Sequence, residues 1–217
     1  MKNSIFISVI SILILTFSFT LLNACSDNND NITDDLKDQI KEQTNNQKLS
    51  ETNKEALLFM LEEEKLARDT YIYLNNIWSI NQFANIQKSE QTHMDAIENL
   101  LIKNNIEYSL KPNGKFSNQT LQNHYNQFVI DGAISIANAL QIGATIEDLD
   151  IKDLQGYIDL ITDQELINVF KNLQCGSRNH LRSFVSGIEK DGNTYTPQFI
   201  TQGEYDTIMA QNHEKCN

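Results

Sequence analysis

The sequence predicts an all-α protein, an up-and-down four-helix bundle with an extra linking helix and a C-terminal extension. Two observations predict it. Only 8 Gly and 2 Pro occur in 217 residues, a scarcity of chain breakers that suits long helices and argues against turn-rich barrels or sandwiches. Four long segments also carry apolar residues at every third or fourth position, the period of a helix with one buried face.

The first helix is expected over Asn53–Trp78, capped by Ser50 or Thr52, with Glu55 completing a capping box with Thr52. Its stripe reads Leu57, Leu61, Glu64, Ala67, Tyr71, Leu74, Trp78. Glu63 lies roughly 100° and Glu62 roughly 200° away from Glu64 around the helix. Only Glu64 of the three is therefore expected to point inward. The second helix, Asn81–Asn104, follows a link short enough to make the two antiparallel neighbours, and its stripe reads Phe83, Ile86, Glu90, His93, Ile97, Leu100. Pro112, Asn113 and Gly114 then form a turn. A linking helix is expected over Gln119–Ile130, stopped at Asp131–Gly132. The third core helix covers Ala133–Leu149, and a short segment continues through Leu154 to Ile161; the stripe is Ile136, Leu140, Gly143, Glu147, Asp150, Leu154. Thr162 or Asp163 caps the fourth, which runs to Lys190 and ends at Asp191–Gly192. Its stripe is Leu166, Phe170, Leu173, Ser177, His180, Phe184, Ile188. The bundle thus spans 52–192. Residues 193–217 form a tail whose Tyr195, Phe199, Ile200 and Tyr205 pack back onto it.

Lys2, the apolar run Ile5–Leu22 and the junction Leu22-Asn23-Ala24-Cys25 describe a secretory signal over residues 1–24. The junction resembles a bacterial lipobox, which would make Cys25 the lipid-bearing first residue of the mature protein. A single uncleaved membrane helix is the alternative, disfavoured by the Ala-Cys junction and the polar stretch after it. Residues 25–51 are rich in Asn, Asp, Gln and Lys and bury too little to order themselves, so they read as a tether. This places the protein in the bacterial cell envelope, at the outer membrane or cell surface, with the membrane as its partner through the Cys25 lipid. A net charge of −12 and the lack of any basic cluster exclude nucleic acid as a partner. Cys175 and Cys216 can pair outside the cytoplasm, although their spacing leaves that open. Neither belongs to the local Cys pair of a zinc knuckle.

Chemistry enters where polar residues interrupt the stripes. Glu90 and His93 share a face at a spacing of three, as do Glu147 and Asp150. Four carboxyl groups on core faces cannot be left unpaired, because burial of a bare charge is prohibitive. Two divalent cations would balance Glu64, Glu90, Glu147 and Asp150, with His93 and His180 as neutral ligands. Simpler readings remain open at this stage. Glu90 and His93 can be an exposed pair, Asp150 can cap the next short helix, and His180 can be a core histidine satisfied by a carboxylate. Tyr71 can be plain core or can hydrogen-bond a ligand carboxylate. Arg68 and Arg178 read as partners of nearby acids, and His124 and His213 as solvated.

Glu64-Lys65-Leu66-Ala67-Arg68-Asp69-Thr70-Tyr71 resembles the first-helix motif of rubrerythrins, in which the leading Glu binds iron. Glu90-Gln91-Thr92-His93 resembles their second-helix Glu-x-x-His, Glu147-Asp148-Leu149-Asp150 is similar to the paired acids of the third helix, and His180 to the fourth-helix ligand. The stretches Glu62–Asp69, Ser89–Ala96 and Gly176–Arg182 look closer still to an uncharacterised ferritin-like family, the domain of unknown function DUF2202. The resemblance implies a ferritin-like fold and a metal site of Glu64, Glu90, His93, Glu147, Asp150 and His180, supported by Tyr71, Ser177 and Arg68. Ser177 stands where rubrerythrins have Glu, which removes one ligand. The four-cysteine electron-transfer module of rubrerythrins is also absent. The implied cofactor is a pair of iron ions, with manganese or zinc as alternatives. The implied chemistry is peroxide or dioxygen reduction or Fe(II) oxidation, with an external electron donor and a homodimer among the implied partners. The competing expectation is a non-enzymatic envelope module whose metal is structural or absent.

Overall fold

The computed structural model describes residues 49–216, so the signal segment, Cys25 and most of the tether lie outside the described residues. Among the described residues there are six helices and no strand. They are α1 (Glu51–Trp78), α2 (Asn81–Lys103), α3 (Gln119–Gly132), α4 (Ile136–Leu160), α5 (Gln164–Lys190) and α6 (Gln202–Met209). Helices α1 and α2 form one hairpin and α4 and α5 another; α1 lies on α4, α2 on α5, and α3 rests against α1 and α4. No described helix is long and apolar enough to cross a membrane.

Ser50 caps α1 by accepting the Asn53 amide at 3.2 Å, so the chain uses the first of the two expected caps and the Thr52 capping box does not form. Ser79, in the left-handed region at φ 52°, ends α1 and turns the chain into α2 within two residues. Two further helix boundaries differ from expectation. Asp131 and Gly132 lie inside α3, and the next helix starts at Ile136, where Ser135 accepts the Asn138 amide. Helix α4 then runs unbroken to Leu160. No Pro interrupts it, and Ile151 and Leu154 continue its buried face. Asp150 therefore caps nothing, and Glu147 and Asp150 sit near the middle of a long helix. Asp163 caps α5, accepting the Glu165 and Leu166 amides.

Loops decide which acids are buried. Glu62 accepts the amides of Ser117 and Asn118 at 2.7 and 2.8 Å. Lys65, 1% exposed, bonds Asp69 at 2.5 Å and the carbonyls of Pro112 and Lys115, with its ammonium 4.3 Å from the Phe116 ring centre. Gly114, at φ 73°, gives its amide to Asp69. The segment between α2 and α3 thus closes over α1. Glu62, Glu63 and Glu64 are all buried, which corrects the expectation that only Glu64 turns inward.

The tail packs back as expected, with Tyr195 and Ile200 buried, and it also contains α6, which starts with a Thr201/Glu204 capping box. Glu214 pairs with Arg178 and Arg182 at 2.5 and 2.7 Å, and a Cys175–Cys216 disulfide fastens the tail to α5. His213 is exposed as expected, whereas His124 is half-buried and stacked on Phe128.

The apolar interior falls into two clusters. One contains Leu66, Tyr71, Phe83, Ile86, Phe184 and Ile188; the other contains Leu57, Met60, Leu61, Met94, Ile97 and Phe170. Along α1, α2 and α5 the sequence passes from one cluster to the other across a short polar interval. Those intervals hold Glu64, Glu90, His93, Ser177 and His180.

Candidate metal centre

The interrupted stripes meet. Glu64 (α1), Glu90 (α2) and His93 (α2) bring one ligand atom each within 4.8 Å of one another, and so do Glu90, Glu147 (α4) and His180 (α5). Glu90 belongs to both groups and divides its oxygens between the histidines. Its Oε2 lies 2.9 Å from His93 Nδ1 and its Oε1 lies 2.8 Å from His180 Nδ1. His93 Nδ1 is also 3.1 Å from Glu64 Oε2, and His180 Nδ1 is 3.4 Å from Glu147 Oε2. The two rings stack with centres 5.6 Å apart. Glu90 and His93 are therefore not an exposed pair.

Three side chains orient these groups from behind. The Tyr71 hydroxyl donates to Glu147 Oε1 at 2.5 Å. Ser89 Oγ lies 3.0 Å from His180 Nε2, which leaves Nδ1 facing the carboxylates. Ser177 donates to Asp150 Oδ2. Such outer partners fix ligand orientation in metal sites. Asp150 is buried in the same layer but belongs to neither triad. Arg68 gives its guanidinium to Asp69, Gln91 and Asn113, none of which is among the six proposed ligands, and Arg178 is engaged with Gln174 and Glu214.

The packing is tight at one unexpected point. A Cβ on Gly176 would lie 2.6 Å from His93 Nε2, so the glycine on α5 makes the room that the imidazole occupies. Ser89 and Gly176 were not singled out from the sequence, although an isolated Gly inside a helical pattern is a recognised sign of close approach.

Electrostatics show how the cluster is neutralised without an ion. Burial raises Glu64 to about 7 against the lowering effect of His93. Burial would also raise Glu90, but His180 and His93 outweigh it and hold this carboxyl far below its usual range. Burial lowers His180, but Glu90 and Glu147 prevail and push it up to about 10; Glu64 and Glu90 do the same for His93. Asp150 is raised, by burial first and then by Glu64. The carboxylates of the layer are thus balanced by protons on the two imidazoles and on the raised acids. Several atoms still lack a partner. Glu64 Oε1, Glu90 Oε1, Asp150 Oδ1 and His180 Nδ1 are buried and make no hydrogen bond among the described residues. Glu90 Oε1 and His180 Nδ1 are 2.8 Å apart but are not aligned for a bond to each other. The donor set and its orphaned atoms fit divalent metal.

Comparison with known proteins agrees on extent and fold. An uncharacterized protein, MJ0754, of Methanocaldococcus jannaschii is 46% identical over 171 residues, covering 78% of this chain and 92% of that protein. The crystal structure of the same hypothetical protein superposes with a TM-score of 0.76 and 46% identity, covering 78% of this chain and 98% of that one. The family described as uncharacterized protein domain (DUF2202) matches residues 53–212, all six helices included but for the first two residues of α1, and the chain belongs to that family.

Proposed function

We propose that the protein is a ferritin-like four-helix-bundle metalloprotein that binds two divalent cations, one on each side of Glu90. The observation that carries this reading is the pair of buried triads, Glu64–Glu90–His93 and Glu90–Glu147–His180, sharing one carboxylate. Carboxylate-bridged bundles build dinuclear sites from Glu and Glu-x-x-His residues projecting inward. Here Glu90 and His93 supply one such pair, and Ser177 stands in place of the Glu of the other, so each triad is left with two carboxylates and one imidazole. Carboxylate and imidazole donors suit iron or manganese and admit zinc; iron is the ion we favour. Iron in this setting would supply one-electron chemistry, namely reduction of peroxide or dioxygen or oxidation of Fe(II). The chain's own residues hold the ligands and exclude water. Tyr71 restrains Glu147, Ser89 restrains His180, and the apolar clusters on either side seal the layer. Electrons would come from an external donor, and the Cys25 lipid would hold the protein at the envelope.

A second reading has support of its own. Each imidazole Nδ1 lies between two carboxylates, so protonated histidines make a self-sufficient ionic core. The protein would then be a non-enzymatic envelope module. Metal analysis of the wild type beside Glu64→Ala and His93→Ala separates the two. We expect about two ions per wild-type chain, fewer in each variant, and an absorbance change when peroxide meets the iron-loaded protein. Equal metal content in all three proteins, or none in the wild type, would overturn the first reading. A metal-free wild type supports the second, and stoichiometric zinc with no redox response would keep the metal site but make the module non-enzymatic, its metal structural.

A further inference from the structure

Glu63 has no part in either triad. It is 2% exposed, and neither of its oxygens meets an N–H or hydroxyl donor among the described residues; its carboxyl is in hydrogen-bonding contact with that of Asp153. A buried carboxylate in that condition needs a physical reason. Its neighbours are Asp150, Asp153 and Glu64. Asp153, one turn beyond Asp150 on α4, is half-buried and lines a surface cleft of about 280 Å³ with Phe59, Gly156, Tyr157 and Leu160. The Glu64 charge acts in turn on Asp150, and Asp150 Oδ1 and Glu64 Oε1 lack donors like the oxygens of Glu63. Asp153 at the cleft and Glu63, Asp150 and Glu64 inside the bundle therefore form one set of mutually acting acids, the last three with open oxygens.

We propose that Asp153, Glu63 and Asp150 form an access route by which divalent cations travel from the cleft beside Tyr157 to the Glu64–Glu90–His93 position. The proposal rests on the metal-binding reading above. Hard cations take oxygen ligands and exchange them for water stepwise. A row of carboxylates offers successive partial shells along the way. Acids of one sign between low-dielectric walls also concentrate cations and raise association rates. The route gives a reason for a buried carboxyl whose hydrogen-bonding contact is another acid, Asp153.

Stopped-flow mixing of the metal-free full chain with Co(II), followed by its d–d absorbance, reads the uptake rate, and chelator competition reads the affinity. Glu63→Gln and Asp153→Asn are each expected to slow uptake roughly tenfold while changing affinity by less than about threefold. Uptake as fast as wild type in both variants would overturn the route, and so would affinity falling in step with rate, which would make these residues ligands. A wild type that binds no Co(II) would instead overturn the metal reading itself. Glu63→Gln preserves volume and keeps an N–H donor for Asp153, so its melting temperature should not fall. Asp153→Asn, at a half-exposed position, carries the test should the buried variant fail to fold.

Discussion

Asp148 and Asp150 sit two residues apart on α4, both buried, in opposite surroundings. Asp148 accepts the amides of Gln198, Phe199 and Ile200 at 2.5, 3.1 and 2.8 Å, and the Tyr195 hydroxyl at 2.8 Å. Asp150 accepts only the Ser177 hydroxyl and leaves Oδ1 without a partner. The same division holds on α1, where Glu62 is saturated by loop amides and Glu63 and Glu64 keep orphaned oxygens. Burial alone does not mark an acid as functional. An acid surrounded by donors fastens a loop, whereas a buried acid short of donors, facing other acids, is a candidate cation ligand.

The contrast predicts separable losses. Glu90→Gln, which touches both triads, should abolish metal binding while the helices still assemble, as read by element analysis together with circular dichroism. Retention of either ion would break the two-triad description. Asp148→Ala should leave metal content per folded molecule unchanged and cost about 4 kcal/mol in urea unfolding, because it strands three amides and a hydroxyl. Gly176→Ala should cost about 2 kcal/mol through overpacking. Because the new methyl displaces the His93 ring, it should also weaken one metal position selectively.

The smallest effect is the pH dependence of the metal-free protein. Glu64 is raised from 4.5 to about 7 and His180 from 6.5 to about 10. Both native groups hold protons that the unfolded chain has released, so their stabilisation is complete below the ordinary values and fades as pH rises through the shifted ones. Glu90 acts in the opposite sense, but its contribution is lost only in acid. Thermal melting of metal-free protein should therefore decline from about pH 6 to about pH 9, and bound metal, by replacing those protons, should flatten the slope. A metal-free melting curve that rises over that range would refute the proton-for-cation description.

Helical phase made much of this legible. The stripes of α1, α2 and α5 have a period set by the residues themselves, so the inward placement of Glu64, Glu90, His93 and His180 follows from counting, as does the antiparallel α1–α2 hairpin. The family resemblance pointed to the same positions. Phase could not assign Glu62, Glu63 or Asp148, because each is buried by a segment or helix distant in the chain. Glu62 meets amides 55 and 56 residues away, and Asp148 meets the tail about 50 residues on. Nor could it show that α4 continues through Asp150, that Cys216 reaches Cys175, or that Gly176 yields its volume to His93. Local periodicity states which way a side chain leaves its own helix. Only the assembled chain decides what covers it, and so which buried acids find donors and which are left short of them.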